Sequence, residues 1–286
     1  MLSVSRERPV DPTTIEILEY IDRSAKDLGL EYFVMGATAR DILLNGVFGL
    51  GIELATLDVD FAVAVRGWPQ FDALKTWLVQ TTKFTPDARE IHRLFYLGQT
   101  GQRGYPLDLI PFGGIEEPPN AIAWPPDRDI VMNVTGFLDA FAAAHAVEIH
   151  PGFIVRVVSL PGLAILKLFA WADRGADNSK DATDLATLLC HYDAAGNDNR
   201  LYGEEIGILE ASGYNIDLAG PRLLGKDASR IAAPTTRAKM FGLLNDAGRL
   251  EQLTRDVAKA VRAVADDPVA VASELIAQFK AGLNDS

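Results

Sequence analysis

The chain has 286 residues, 48% of them hydrophobic and 23% charged, which predicts a globular protein with one large domain or two smaller ones. The formal net charge of −12 counts against broad affinity for nucleic acid, although it leaves room for a local basic groove. A single cysteine, no run of 18 apolar residues and no signal-peptide core predict a cytoplasmic protein without disulfides or membrane segments.

The first predicted element is a helix that begins after Asp11, because an aspartate N-cap followed by proline favours a helix start. Apolar residues recur at helical spacing up to Gly29, a residue typical of a C-terminal cap. The apolar run Tyr32–Met35 then predicts a buried strand. It is followed by a predicted turn, Gly36–Ala39, and a predicted short helix, Arg40–Leu44.

The next apolar run, Leu57–Val65, contains two acids, Asp58 and Asp60. Side chains alternate along a strand, so both carboxylates share one face, with Cα atoms roughly 6.6 Å apart. Two unpaired acids in so apolar a strand are costly, and carboxylate oxygens at this spacing suit hard cations such as Mg²⁺. The pattern therefore predicts a divalent-cation site at Asp58 and Asp60.

A third acid, Asp108, stands alone in another apolar strand. After Val65 the pattern predicts a helix, Pro69–Thr82, and then two strands, Leu94–Leu97 and Leu107–Ile110. A further strand, an Ala-rich helix and a hairpin follow, over Asp129–Phe137, Leu138–Ala146 and Val147–Val158. Asp108 is either an edge-strand residue facing water or a third acid of the cation site. The acid pair earlier in the chain favours the second interpretation.

The order strand, small-residue turn, helix and Asp-x-Asp strand resembles the nucleotidyltransferase superfamily that includes DNA polymerase beta. The superfamily pattern is Gly-Gly or Gly-Ser, a spacer, then Asp-hydrophobic-Asp. Gly36 fills the first position, Ala37 stands at the second, and Thr38 follows with a hydroxyl. The gap from Gly36 to Asp58 is long for the superfamily, which implies an inserted loop over residues 47–55.

The resemblance implies roles for specific residues. It implies Mg²⁺ or Mn²⁺ held by three carboxylates, those of Asp58, Asp60 and Asp108. It also implies phosphate contacts from the turn and the helix that follows it, through Gly36, Thr38 and Arg40. A surface ion pair between Arg40 and Asp41 is the alternative interpretation of that arginine.

A later helix, Leu163–Arg174, is apolar all round except for Lys167. Helical spacing places Lys167, Trp171 and Arg174 on one face. The lysine either reaches water along its flexible stem or faces the site as a cation that offsets triphosphate charge. The uniform apolarity of the helix favours the second interpretation.

The next helix is predicted to begin after Ser179, with Asp181 and Asp184 on one face of its first turn. Acids in a first turn are favourable for helix-dipole reasons alone. The run from Leu166 to Asp184 nevertheless resembles the AbiEii/AbiGii toxins, nucleotidyltransferases of bacterial phage-defence toxin–antitoxin systems. In that family a lysine and a downstream aspartate accompany the Asp-x-Asp pair in activity. They map to Lys167 and to either Asp181 or Asp184, and the sequence leaves the choice open.

Together these features predict an α/β (α+β) protein with two domains. Residues 1–158 are expected to form a nucleotidyltransferase-type mixed sheet with flanking helices, and residues 159–286 a helical domain. The expected activity is transfer of a nucleoside monophosphate from a nucleoside triphosphate such as ATP to a hydroxyl. The acceptor is either an RNA end, with tRNA implied by the resemblance together with a cognate antitoxin, or a small molecule, as for antibiotic-modifying relatives. A non-catalytic nucleotide-binding protein of the same fold is the third alternative.

Overall fold

The computed structural model describes residues 1–52, 59–98, 104–174, 179–263 and 265–285. The chain divides into two compact units, residues 1–158 and 159–286. The first contains a mixed sheet with helices and the second is helical, which confirms the predicted fold class. That the two units act as a catalytic domain and a helical domain stays a prediction.

The first unit is built on an eight-stranded sheet. Its helices are α1 (Pro12–Leu28), α2 (Gly36–Asp41), α3 (Trp68–Gln80) and α4 (Phe137–Ala142), and α2 continues as a π-helical segment, Ile42–Val47. Its strands are β1 (Leu2–Ser3), β2 (Glu31–Met35), β3 (Val59–Val65), β4 (Phe84–Pro86), β5 (Arg93–Tyr96), β6 (Tyr105–Gly113), β7 (Ala121–Ala123), β8 (Val131–Asn133), β9 (His145–His150) and β10 (Phe153–Val157). The sheet order is β1-β9-β10-β2-β3-β6-β5-β4, while β7 and β8 form a separate pair.

The centre of the sheet combines both strand directions. Strand β3 runs antiparallel to β2 and parallel to β6, and β5 runs antiparallel to β6. One face of these strands is covered by aromatic residues of α4, because Phe137 and Phe141 pack against Phe33 and Phe112 with ring centroids 5.6–6.4 Å apart. Apolar burial on this face fixes the strand register, since a slip of one residue would turn the phenylalanines to the other face.

The first helix has the ends that its sequence predicts. Asp11 Oδ1 accepts hydrogen bonds from the backbone N–H groups of Thr13 and Thr14, at 2.9 and 3.0 Å. At the other end Gly29 adopts a left-handed conformation with φ of 62°. Both ends therefore satisfy backbone groups that a helix otherwise leaves unpaired.

Two predicted elements of the first unit are wrong. Gly36–Ala39 belongs to α2 rather than to a separate turn, because the helix starts directly at the end of β2 with Gly36 as its first residue. The predicted strand Asp129–Phe137 shrinks to β8, and Phe137 begins α4 after Gly136, whose φ is 84°. Aromatic burial under α4 outweighs the strand-like sequence pattern.

The second unit contains eight helices among the described residues 159–174, 179–263 and 265–285. They are α5 (Leu160–Arg174), α6 (Lys180–His191), α7 (Asp198–Leu201), α8 (Ile206–Ala211), α9 (Ile216–Ile231), α10 (Pro234–Asn245), α11 (Ala247–Val261) and α12 (Pro268–Gly282). Helix α5 is buried over most of its length and packs against α6, α9 and α10. Within the described part of the chain, no helix is both long and apolar enough to cross a membrane.

Helices α9 and α12 pack with unusually close backbones. A methyl group at Gly225 of α9 would overlap the carbonyl oxygen of Phe279 in α12, and one at Gly282 would overlap that of Arg222. Glycine at both positions therefore allows the helices to touch.

We expect Gly225→Ala to lower the free energy of unfolding by about 1–3 kcal/mol, because the added methyl group forces the two helices apart. Gly242→Ala is the matched control, since Gly242 lies exposed in α10 with nothing near an added Cβ. That substitution is expected to raise the free energy of unfolding by about 0.5–1 kcal/mol, because alanine has a higher helix propensity than glycine. Denaturant unfolding measures both, and equal effects of the two substitutions would contradict the close packing.

Candidate active site

The candidate site is a row of side chains that crosses four neighbouring strands. Asp60 of β3 pairs in register with Asp108 of β6, and Asp108 pairs with Arg93 of β5. On the other side of β3, Met35 at the end of β2 pairs with Asp60. Residues directly opposite each other in a sheet project from the same face, and adjacent strands lie about 4.8 Å apart. The fold therefore places the carboxylates of Asp60 and Asp108 side by side.

Gly36 leaves the space that the Asp60 carboxylate occupies. Its φ of 66° lies in the left-handed region, where a side chain is strained. A Cβ added at Gly36 would overlap Oδ2 of Asp60, so the glycine is also required by close approach. The sequence predicted that Gly36 binds phosphate, and the structure adds that the Asp60 carboxylate packs against it. Its contact with phosphate stays a prediction.

Asp108 is held by an arginine that the sequence analysis missed. Arg93 Nε donates to Oδ1 of Asp108 and Nη2 donates to Oδ2, both at 2.7 Å. This two-pronged geometry is the strong form of a charge-assisted hydrogen bond. The predicted strand Leu94–Leu97 began one residue too late to include Arg93. A hairpin register extended by that residue would have placed Arg93 opposite Asp108.

His92 lies at the edge of the same row. Its Nε2 is 4.0 Å from Oδ1 of Asp108, and its ring packs on Trp124 with centroids 5.5 Å apart. Burial lowers the pKa of His92, and the negative charge of Asp108 opposes this shift only in part. The imidazole is therefore neutral at pH 7, and Arg93 is the cation that faces Asp108.

The remaining residues of the predicted phosphate loop lie inside α2. Thr38 is buried, and the Arg40 side chain is only 4% exposed. Arg40 Nε donates to Oδ1 of Asp41 at 2.8 Å, and Nη2 lies 2.7 Å from the same oxygen. The ion pair of the alternative interpretation is therefore present, but it does not lie at the surface, because Arg40 is buried. Phosphate binding by Thr38 and Arg40 stays a prediction.

The other half of the predicted cation site cannot be placed. Asp58 falls among residues 53–58, outside the described residues, together with part of the predicted loop over residues 47–55. The described part of that loop is tied down by Asn45, whose side chain bonds the backbone of Ile52 in both directions. Across the described ranges, no group of three or more His, Cys, Asp or Glu side chains has the geometry of a metal site.

The two carboxylates of the row lie in different surroundings, and a cation at either stays a prediction. Asp60 is half-buried over a glycine that makes room for its carboxylate, and carboxylate oxygen is the ligand that Mg²⁺ prefers. Both oxygens of Asp108 already bind Arg93. A cation at Asp108 must share those oxygens with a guanidinium or displace it.

A second charged cluster joins α5 to α6 in the helical unit. Lys167 Nζ lies 3.0 Å from Oδ1 of Asp181 and also pairs with Oδ2 of Asp184. Arg174 Nη2 pairs with the other oxygen of Asp181 at 3.0 Å. The three side chains of Lys167, Asp181 and Asp184 are 12%, 4% and 7% exposed. Both aspartates that the sequence left open therefore contact the lysine.

The structure bears on one of the two alternatives set out for Lys167, and its contact with a triphosphate stays a prediction. Its ammonium does not reach water as a lone charge, because two carboxylates bind it inside the unit. Trp171, predicted on the same helix face, instead donates from Nε1 to Asp256 Oδ2 at 3.1 Å. Among the described residues, the positive charges of Lys167 and Arg174 offset the negative charges of Asp181 and Asp184, which suits a buried contact between helices.

We expect Lys167→Met to lower the free energy of unfolding by about 3 kcal/mol, because it leaves two buried carboxylates without their shared cation. The matched control is Lys26→Met, which breaks an ion pair with Asp22 whose lysine is 73% exposed. That change is expected to cost less than about 1 kcal/mol. Chemical denaturation of the ligand-free protein measures both free energies of unfolding. An unchanged denaturation midpoint for Lys167→Met would show that the cluster does not stabilise the fold.

Solved structures with a similar chain path include three proteins of low sequence identity. An antigenic nucleotidyltransferase-like protein from Paracoccidioides brasiliensis is 16% identical, with a TM-score of 0.42 over 71% of this chain and 93% of its own. The antibiotic-resistance factor ANT(2'')-Ia is 14% identical, with a TM-score of 0.37 over 72% and 100%. The Thermotoga maritima CCA-adding enzyme, solved in complex with tRNA, is 13% identical, with a TM-score of 0.26 over 97% and 83%. Scores this low support no conclusion about the chain.

Sequence comparison gives a clearer result. No curated protein sequence matches the chain. The model of one protein family, described as the nucleotidyl transferase AbiEii toxin of type IV toxin–antitoxin systems, matches residues 42–271. This span includes Asp60, Asp108 and the cluster around Lys167, and it covers well over half of the chain. The chain therefore belongs to the AbiEii family of nucleotidyl transferases.

Proposed function

We propose that this protein transfers a nucleoside monophosphate from a nucleoside triphosphate to a hydroxyl acceptor in a divalent-metal-dependent reaction. The observation that carries the proposal is the pair of carboxylates, Asp60 and Asp108, side by side on adjacent strands above Gly36. Arg93 supplies one positive partner through Asp108, and a triphosphate that arrives with its metal adds another to the pair. Membership of the nucleotidyl transferase family supports the same chemistry.

Asp60 is the residue proposed to hold Mg²⁺ or Mn²⁺, together with Asp58. Such an ion, when bound, neutralises triphosphate charge and orients the reacting groups. Asp108 is proposed to accept the proton of the attacking hydroxyl or to share the ion. Its position next to Asp60 suits either role, because both carboxylates then face the same substrate atoms.

The remaining residues of the predicted site take supporting roles in the proposal. Gly36, Thr38 and Arg40 are proposed to line the phosphate side of the site through α2, whose first turn follows β2 directly. Lys167 is proposed to act indirectly, through its ion pairs with Asp181 and Asp184, whose negative charges offset its positive charge. A direct contact between Lys167 and the triphosphate would require that these pairs loosen.

The proposed acceptor is the end of an RNA, with tRNA as the first candidate. The family description, a toxin of a type IV toxin–antitoxin system, supports a cognate antitoxin, and the RNA acceptor is what the resemblance implies. One observation favours a small-molecule acceptor instead, the net charge of −12, which repels a polyanion. The paired carboxylates argue against a non-catalytic binding protein, since binding alone does not require two adjacent acids.

The decisive assay incubates the protein with each labelled nucleoside triphosphate and Mg²⁺, with either total RNA or a panel of small hydroxyl compounds. We expect label transfer that Asp60→Asn reduces at least about a hundredfold, because the metal loses a ligand. The melting temperature of this variant should stay close to that of wild type, since Asp60 is only half-buried and asparagine has nearly the same shape as aspartate.

Asp72→Asn serves as the control, because Asp72 is an exposed acid on α3 of the same unit. It should transfer label at the wild-type rate. Undiminished transfer by Asp60→Asn would overturn the proposed site. Label appearing only in the small-molecule panel would keep the site and replace the acceptor.

A further inference from the structure

Arg93 is held at its backbone as well as at its guanidinium group. Its N–H donates to the carbonyl oxygen of Glu90 at 3.0 Å, and its own carbonyl oxygen accepts from the N–H of Asp87 at 3.1 Å. The carboxylate of Asp87 closes the turn by accepting from the N–H groups of Arg89 and Glu90, at 2.6 and 3.3 Å. The turn that joins β4 to β5 therefore presents Arg93 in one place, opposite Asp108 in the register of β5 and β6.

The hydrogen bonds from Arg93 fix the orientation of the Asp108 carboxylate. An aspartate side chain rotates about two bonds, and its carboxylate adopts a broad range of angles about the second. Two hydrogen bonds of 2.7 Å, one to each oxygen, hold both the position and the plane of the carboxylate. The two side chains are 28% and 13% exposed, so the contact lies largely out of reach of water.

Orientation decides what else the Asp108 carboxylate can meet. A carboxylate has about four lone-pair positions, and the forked arginine takes one on each oxygen. A hydroxyl proton or an ion can approach Asp108 only at the positions that the fork does not occupy. A group that reacts from a fixed direction loses rate steeply when it is misplaced. The fork therefore sets the direction in which Asp108 can act.

We propose that Arg93 is a positioning residue for Asp108, which it orients through the two hydrogen bonds of the fork rather than through its charge alone. Arg93 acts through Asp108 and makes no contact with the triphosphate. This inference rests on the proposed function, because it assumes that Asp108 takes part in nucleotidyl transfer.

The test measures kcat and the triphosphate KM of label transfer by the full-length protein with Mg²⁺. We expect Arg93→Gln to lower kcat at least about tenfold and to leave KM within about twofold, because it misplaces a reacting group and removes no substrate contact. Arg93→Lys keeps the charge and loses the fork, so its kcat should stay closer to that of Arg93→Gln than to wild type. It also serves if Arg93→Gln does not fold. Arg23→Gln, which removes an exposed arginine of α1, is the matched control and should keep wild-type kinetics.

A double-mutant cycle shows whether Arg93 acts through Asp108. In the Asp108→Asn background, Arg93→Gln should cause no further loss of kcat, because the carboxylate that it orients is gone. A further loss of about tenfold in that background, or a matching rise of KM in the single variant, would mean that Arg93 contacts the substrate and would overturn the inference. Wild-type kcat in Arg93→Gln or in Arg93→Lys would overturn it as well.

A second readout needs no reaction. In protein labelled with ¹³C at the aspartate carboxyl carbons, Asp108 gives the nuclear magnetic resonance signal that Asp108→Asn removes. This signal should shift in Arg93→Gln and Arg93→Lys but not in Arg23→Gln, because only the first two lose the fork. Label transfer by wild type with an unshifted signal in both Arg93 variants overturns the inference and keeps the proposed function. No label transfer by wild type, with the signal shifted as expected, overturns the proposed function and leaves Arg93 as a structural partner of Asp108.

Discussion

The candidate site depends on how the protein offsets the repulsion between two carboxylates in register on adjacent strands. Asp60 and Asp108 face each other across β3 and β6, and Arg93 continues the row with a positive charge. The helical unit solves the same problem independently, because Lys167 and Arg174 bind Asp181 and Asp184. In each unit, cations that the fold supplies bind acids that are buried or partly buried.

Sequence reasoning found the acids because they break an apolar pattern. Asp60 and Asp108 each interrupt an apolar run typical of a buried strand. Burial of a charged side chain is unfavourable, so acids at such positions indicate a functional site. Gly36 was found by its place in a family pattern, although its closest neighbour proved to be the Asp60 side chain. The strands and the helical second unit followed from hydrophobic periodicity, and the mixed sheet was what the family resemblance implied.

Partners across strands and helices could not be predicted in the same way. The pairing of Arg93 with Asp108 depends on the register of a hairpin, and one missed residue at a strand end concealed it. The spacing of Lys167, Asp181 and Asp184 indicated shared faces on two helices but not that the faces meet. Likewise, the burial of Arg40 depends on the helix that starts at Gly36, which the predicted turn did not anticipate.

The ends of the large sheet bear on how another protein can recognise the first unit. Its outermost strands are β1 and β4, which have two and three residues, and β4 ends in a proline. Short edges of this kind offer few free backbone groups, so they resist the addition of a foreign strand and the aggregation that begins with it. A protein that binds this unit therefore gains little from strand addition, and its specificity is expected to come from contacts with side chains.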